Sequence, residues 1–321
     1  MQIDLALGID IGGTNTGLGF VDRSGTLIAS TFLSTQAGET ADQFVARLHQ
    51  QIENLQDALP MPHRFLGIGI GAPNAHAGRG TIEQAPNLHW GEKVDFISLM
   101  KKYYPLPMAI TNDANVAAAG EMIFGHARGM KHFIVITLGT GLGSGIVADG
   151  RLLYGASGFA GELGHVTVNP DGRQCACGKK GCLEAYVSAT GLVRTALALL
   201  SRQYTPSPLR SMAIQEITSQ RIFELAREGD AVALDAFDRT ARILGLKLAD
   251  AVAHVSPEAI FLTGGLAAAG ELLIRPTEKY MNEFLFRVYR GTVKILPSGM
   301  PPGHGAILGA AALIINDFKI L

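Results

Sequence analysis

Two glycine-punctuated hairpins, GIDIGGTNTGLGFVDRSGTLI and VITLGTGLGSGIVADGRLLY, stand about 125 residues apart in this chain and resemble one another. Asp10 matches Thr137, Gly12 matches Gly139, and a two-residue gap brings the second turns into line. Each reads as a meander of three strands. The first runs through Leu5 to Asp10, Thr16 to Val21 and Thr26 to Leu33; the second through Phe133 to Leu138, Ser144 to Ala148 and Arg151 to Tyr154. A repeated supersecondary unit at this separation predicts two related domains facing each other. At 321 residues the chain is long enough for two cores of ordinary size.

Between and after the hairpins, strands and helices alternate. Phe44, Leu48, Ile52 and Leu55 recur at helical spacing behind Thr40 or Asp42 as N-cap. Phe65 to Ile70 and Met108 to Thr111 read as buried strands, the second running into a helix from about Asp113. Segments 190–203, 217–228 and 230–253 carry helical spacing, and Ala259 to Thr263 reads as a strand entering Gly264-Gly265 and then a helix. Near the end, GHGAILGAAALII predicts a small-residue helix lying close against a neighbour. The hinge between domains is expected near Pro105 to Thr111 and again near Pro301 to Gly303.

Composition excludes several classes. Hydrophobic residues make up 47% and charged residues 17%, which supports a folded globular chain. Lys plus Arg number 27 against 28 Asp plus Glu, so no net field favours nucleic acid or an anionic membrane. The start, MQIDLALGIDIGG, has no basic region or long apolar run, and stretches such as Ala306 to Ile315 are too short to span a bilayer. A cytoplasmic protein is expected.

The first glycine turn carries chemistry. Asp10-Ile11-Gly12-Gly13-Thr14 sits between two strands, which excludes the usual P-loop, a glycine loop that opens a helix. Glycines here can take positive φ and bring backbone N–H groups close to phosphate oxygens, with Thr14 adding a hydroxyl. Asp10, ending a buried strand, suits Mg²⁺, which takes one or two carboxylates plus phosphate oxygens. Leu138-Gly139-Thr140-Gly141 is the matching turn on the second hairpin, and together the two could clamp a triphosphate. Gly264-Gly265 suits the base and ribose end of the same nucleotide. Asn112-Asp113 opens a helix and permits two readings. Asn and Asp are preferred N-caps, and a carboxylate at a strand mouth also suits a base that takes the proton of an attacking hydroxyl.

All three cysteines fall within eight positions: Cys175, Cys177 and Cys182. With His165 they spell H-x9-C-x-C-x4-C, the donor set of a closed, structural Cys₃His zinc. Glu162 and Glu184 are tied to that loop and could act as fixed acceptors for vicinal hydroxyls. Lys179 and Lys180 read as solvated.

Asp10-Ile11-Gly12-Gly13-Thr14, Asn112-Asp113, Gly139-Thr140-Gly141, Gly161-Glu162-Leu163-Gly164-His165 and Cys175-x-Cys177-Gly178-x-x-Gly181-Cys182-x-Glu184 occur in an order that resembles the ROK family of repressors, open reading frames and sugar kinases. The likeness runs from about residue 5 to the C-terminal helix. It implies an α/β, actin-like (ribonuclease H-like) two-domain ATPase fold with the active-site cleft between domains. The expected division is 1–111 plus 303–321 for a smaller domain and 112–302 for a larger one carrying the zinc loop.

The resemblance makes Asp113 the general base, with ATP, Mg²⁺ and a structural Zn²⁺ as cofactors. Asn112, Glu162, His165 and Glu184 would contact the sugar, His165 using one ring nitrogen for the metal. Gly71 and Asn87, in Gly71-Ala72-Pro73-Asn74 and Ala85-Pro86-Asn87-Leu88, would be further pocket positions. A homodimer is implied. Two departures stand out: Asn15, where relatives often carry Lys, and Asn74, where many carry Gly. Glucose is the favoured substrate, with an N-acetylhexosamine, mannose, fructose or allose as alternatives. A sugar-responsive repressor is the other class, disfavoured because only nine residues precede Asp10 and Asp113 is intact.

Overall fold

The computed structural model describes residues 2–36, 38–59, 61–85 and 87–316. Pro86 and the last five residues of the expected 303–321 segment lie outside the described residues. The opening meander is β1 (Ile3–Ile11), β2 (Asn15–Asp22) and β3 (Leu27–Ser34), followed by α1 (Ala41–Asp57). Thr40 rather than Asp42 caps α1, in a reciprocal capping box with Gln43. Then come β4 (His63–Gly71), β5 (Ala75–His76), β6 (Thr81–Glu83), β7 (Lys93–Val94), α2 (Phe96–Lys101), β8 (Met108–Thr111) and α3 (Asp113–Ile123). The second meander is β9 (Phe133–Leu138), β10 (Leu142–Ala148) and β11 (Arg151–Leu152). The remainder is α4 (Glu184–Val187), α5 (Ala189–Arg202), α6 (Ser219–Arg227), α7 (Ala231–Val255), β12 (Ala259–Thr263), α8 (Glu271–Phe284), β13 (Lys294–Pro297) and α9 (Gly305–Ile315).

The duplication expected from the two hairpins is present in the sheets. One has the order β3-β2-β1-β4-β8 and the other β11-β10-β9-β12-β13. In the first, β1 pairs antiparallel with β2 and parallel with β4, and β4 runs parallel to β8. In the second, β12 runs parallel to both β9 and β13. A small sheet, β5-β6-β7, was not legible because its strands are two or three residues long.

The chain divides into two compact units. Unit 1 takes in the described residues up to Met130, Gly145–Ala160 and those from Gly299 onward; unit 2 takes Lys131–Ser144 and Gly161–Ser298. The expected breaks at 111/112 and 302/303 therefore fall elsewhere, and α3 sits in unit 1. The reason is close packing against α9: a Cβ at Gly309 would overlap the Val116 carbonyl, and one at Gly120 would come 3.1 Å from the Gly309 Cα. The small-residue helix also lies on the strands, since side chains at Gly8 and Gly69 would overlap the Ile307 and Ala310 carbonyls. On the unit's other flank, Phe44 of α1 packs with Trp90 and with Phe96 of α2.

In unit 2, α7 packs against α5 and α8. Asp230 caps α7 by accepting from Ala233 N, and the helix ends at Ser256 in the left-handed region. No helix among the described residues is long and apolar enough to cross a membrane.

Candidate functional site

The parallel strands of unit 1 bring two sequence candidates, Asp10 and Gly71, to one edge and lead there into Asn112 and Asp113. Asp10 at the carboxyl end of β1 pairs with Gly71 at the end of β4, and Gly71 pairs with Thr111 at the end of β8. Ligands of parallel α/β sheets gather beyond this edge. The chain then turns into α3, where Asn112 does the capping: its Oδ1 accepts from Asn115 N at 2.8 Å. Asn115 Nδ2 in turn donates to Thr111 Oγ1 at 3.1 Å, which fixes the strand-to-helix corner. With the cap assigned to Asn112, Asp113 uses Oδ1 to accept from Ala114 N at 2.9 Å and opens to solvent.

Both carboxyls are raised. The protein mass crowded around Asp113 lifts it above the ordinary carboxylate range, against the lowering effect of the Ala114 N–H. Burial first, and the charge of Asp113 second, raise Asp10 to about 6. Gly71 keeps this corner narrow, since a Cβ there would lie 2.8 Å from Val116 Cγ2 and 3.5 Å from Asp10 Oδ1.

The first glycine turn needs its glycines for a different reason from the one expected. Neither Gly12 nor Gly13 has positive φ. Crowding requires them instead: a Cβ would come 2.8 Å from Asn15 O at Gly12 and 2.5 Å from Asn87 Cβ at Gly13. Asn87 is thereby placed against the turn. Gly12 N donates to Asn15 O at 3.0 Å, and exposed Thr14 accepts through its carbonyl from Thr35 N at 2.8 Å. Asn74 has φ of 52°, a left-handed conformation that Asn tolerates nearly as Gly does, and Nδ2 donates to Gln84 O at 3.0 Å. That accounts for Asn where Gly was expected.

In unit 2, β9 and β12 end in register at Thr137 and Thr263, so the turns at 139–141 and 264–265 leave one sheet edge together. Gly264 does take positive φ, at 94°. Beside Gly265 lies a small open pocket, lined also by Ser219, Gln220 and Phe223 of α6 and by Leu266, Ala268 and Ala269. A short 3-10 turn, Ala267–Ala269, precedes α8. Gly141 is glycine because a Cβ would come 2.5 Å from Glu184 Oε2, and that oxygen accepts from Leu142 N at 2.9 Å.

The cysteine loop folds as a small knuckle. Thr167 bridges to Cys182 and Gln174 to Lys180, while Gly178 N donates to Cys175 O at 3.1 Å. Donor atoms of His165, Cys175, Cys177 and Cys182 all lie within 4.8 Å of one another. Cys177 Sγ is 3.6 Å from Cys182 Sγ, and Cys175 Sγ is 3.8 Å from His165 Nδ1. Tetrahedral zinc with bonds of about 2.3 Å to sulfur sets such separations near 3.8 Å, so the donor set fits the ion in both chemistry and spacing. His165 points Nδ1 at the sulfurs and Nε2 at Glu162 Oε2, 3.9 Å away. Lys179 is not simply solvated, since Nζ donates to His165 O at 2.8 Å.

The ROK family pattern matches residues 6–317. This chain belongs to the ROK family. It is 32% identical to a glucokinase of Thermotoga maritima over 96% of each chain. It is equally 32% identical to a xylose repressor of Caldicellulosiruptor bescii, over 97% of this chain and 78% of the repressor. Among solved structures, a ROK glucokinase of Streptomyces griseus in complex with glucose and AMPPNP superposes with a TM-score of 0.81, at 34% identity over 97% of this chain and 99% of that one. The fold is the actin-like α/β ATPase fold.

Within this ROK protein, unit 1 gathers Asp10, Gly12, Gly13, Thr14, Gly71, Asn87, Asn112 and Asp113, and unit 2 gathers Gly139, Thr140, Gly141, Glu162, His165, Glu184 and the cysteines, with Gly264 and Gly265 on the same sheet edge as Gly139. Sequence reasoning missed Arg173. Its guanidinium donates to Ala185 O, Gly191 O and Thr195 Oγ1 and lies 4.6 Å from the centre of the Tyr186 ring, docking the knuckle on α4 and α5. Its position two residues before Cys175 was the one available signal. Ser219, Gln220 and Phe223 had none, because nothing local distinguishes the first turn of α6 from any helix start.

Proposed function

We propose that this chain transfers the terminal phosphoryl group of ATP to the 6-hydroxyl of glucose, with Asp113 as the base. Its class, sugar kinase, rests on family membership and on near full-length kinship with glucokinases. The observation that carries the mechanism is the corner of unit 1, where Asp113 follows β8 in register with Gly71 and Asp10. Asp113 takes the proton as the sugar oxygen forms its bond to the γ-phosphorus, and the bond from that phosphorus to the β-γ bridging oxygen breaks to release ADP. A raised carboxyl pKa supports the role, because a base works best with a pKa near the working pH.

Backbone N–H groups and Thr14 of the first turn, with Gly139, Thr140 and Gly141 of the second, would hold the phosphates. Gly264 and Gly265, beside the open pocket, would take the adenosine end. Mg²⁺ would supply charge neutralisation on the polyphosphate, and Asp10, uncomfortable as a half-buried anion near Asp113, is the carboxylate suited to it. Asn112 retains Nδ2 for the sugar once Oδ1 is committed to the cap. Glu162, His165 and Glu184 of unit 2 would hold vicinal hydroxyls, and Asn87 and the bare backbone at Gly71 of unit 1 would be further sugar contacts. A structural Zn²⁺ held by His165, Cys175, Cys177 and Cys182 would fix the first two of those side chains' loop.

The match to a xylose repressor, over 97% of this chain and 78% of the repressor, favours a second reading, a sugar-responsive regulator. One assay separates the two. ADP release is followed with Mg-ATP across glucose, mannose, fructose, allose and the N-acetylhexosamines, with Asp113→Asn alongside. Strong turnover on glucose, lowered at least about 10²-fold in the folded variant, is expected. Near-normal turnover in the variant removes Asp113 from its role. Sugar binding without ADP release would move the protein to the regulator class.

A further inference from the structure

The cysteine knuckle is joined to more than the proposed sugar contacts. The segment Glu184–Thr190, which begins two residues after Cys182, makes three hydrogen bonds to the second glycine turn and its first following residue. Glu184 Oε2 accepts from Leu142 N at 2.9 Å, Ala189 N donates to Gly139 O at 2.9 Å, and Thr190 Oγ1 donates to Thr140 O at 3.1 Å. Glu184 Oε1 lies 3.6 Å from Cys175 Sγ, so one carboxylate touches a metal donor with one oxygen and the turn with the other. The missing Cβ of Gly141 leaves the room this carboxylate occupies. The other end of the segment is held as well: Ser188 caps α5 and bonds to Thr190 Oγ1 at 2.9 Å.

We propose that the Cys₃His site sets the shape of the glycine turn at 139–141 through Glu184–Thr190, so that metal occupancy controls affinity for a nucleoside polyphosphate even without sugar. This rests on the reading of that turn as a phosphate contact. The physical basis is that the four donors would tie the tip of the knuckle to the strand-like residue Cys182 that leads into Glu184. Arg173 and backbone bonds such as Gly181 N to Arg173 O hold the base of the knuckle, but Cys177 at its tip is exposed and Gly178 and Gly181 both have positive φ, so the four donors would be what joins His165 and the tip to Cys182. When those donors are released, the backbone between Cys182 and Glu184 that aims Oε2 at Leu142 N is no longer fixed. A turn whose amides must meet phosphate oxygens within a few tenths of an ångström is sensitive to that loss.

The test is binding, not turnover. Affinities for Mg-ADP and for adenosine are measured by calorimetry, without sugar, on zinc-loaded protein, on protein stripped of zinc, and on Cys177→Ser checked by elemental analysis. Zinc loss is expected to weaken Mg-ADP at least about fivefold and leave adenosine within about twofold. In Glu184→Ala the difference between zinc-loaded and stripped protein should disappear. Equal Mg-ADP affinity with and without zinc overturns the coupling, and so does an equal loss for ADP and adenosine, which would mean that unit 2 as a whole had loosened. Zinc sensitivity that persists in Glu184→Ala overturns the assigned route. If the zinc-loaded protein binds adenosine but gains nothing from the phosphates of ADP, the reading of the turn as a phosphate contact falls, and the coupling with it.

Discussion

Asp10 shows how a side chain proposed to serve the chemistry can be costly for folding. Its carboxyl is raised from 3.8 to about 6, by burial and then by the charge of Asp113. A folded pKa above the unfolded one means that the native state holds the proton more tightly. Its contribution to stability is therefore whole below about pH 3.8 and is lost as pH rises through about 6. Asp10→Asn removes the buried charge and should stabilise the metal-free protein by about 2 kcal/mol at pH 7.5, the gain narrowing toward pH 5, while turnover falls. Thermal unfolding of both proteins at the two pH values checks this; a gain that does not change with pH would assign it to something other than ionisation. Asn74 is the converse case, a residue chosen by backbone shape. With φ at 52°, Asn74→Gly should be nearly neutral, whereas Asn74→Ala, which strains the backbone and drops the bond to Gln84 O, should cost about 1–2 kcal/mol in a urea titration.

At the level of elements, α9 approaches the first sheet closely enough to exclude side chains at the contact. Gly8, Gly69 and Gly309 have no side chain where backbone carbonyls of the facing element stand. Gly8→Ala would drive a methyl group into the Ile307 carbonyl, and because neither backbone can yield without moving a whole helix or strand, we expect a loss of about 3 kcal/mol. Equilibrium unfolding measures it; a loss below about 0.5 kcal/mol would show that α9 sits farther from β1 than described. The same packing explains why α3, and hence Asp113, belongs to unit 1. Periodicity gave the apolar face of α1 and placed α5, α6, α7 and α9 within two residues at each end, and β8, β9 and β12 match their expected bounds. Strands of two or three residues, α2 and the several 3-10 turns carry too few positions for any period to emerge.

For the whole molecule, the two sheets of like topology account for most of the architecture, and the knuckle at 165–182 is the part that cannot hold itself through apolar burial. Chelation of zinc should lower the midpoint of thermal unfolding by at least about 5 °C, since an ion bound only by the native state adds its binding free energy to stability. Readdition of zinc should restore the midpoint, and scanning calorimetry with and without chelator tests both. An unchanged midpoint at full metal loss would make the knuckle energetically independent of its ion.

The amino-acid sequence by itself determined the family, the duplicated meander and the grouping of His165 with the three cysteines, because each is written in residues close together or in a repeated pattern. Contact across the chain decided the rest. That Gly13 is demanded by Asn87 rather than by positive φ, that Arg173 docks the knuckle on Gly191 and Thr195, and that Glu184 reaches the turn at Gly141 all depend on residues far apart in sequence, while the choice of Asn112 over Asp113 as cap is local but was open between two readings. A local pattern records what a residue can do. Which of those possibilities is realised is fixed by the atoms that tertiary packing places within hydrogen-bonding and van der Waals distance.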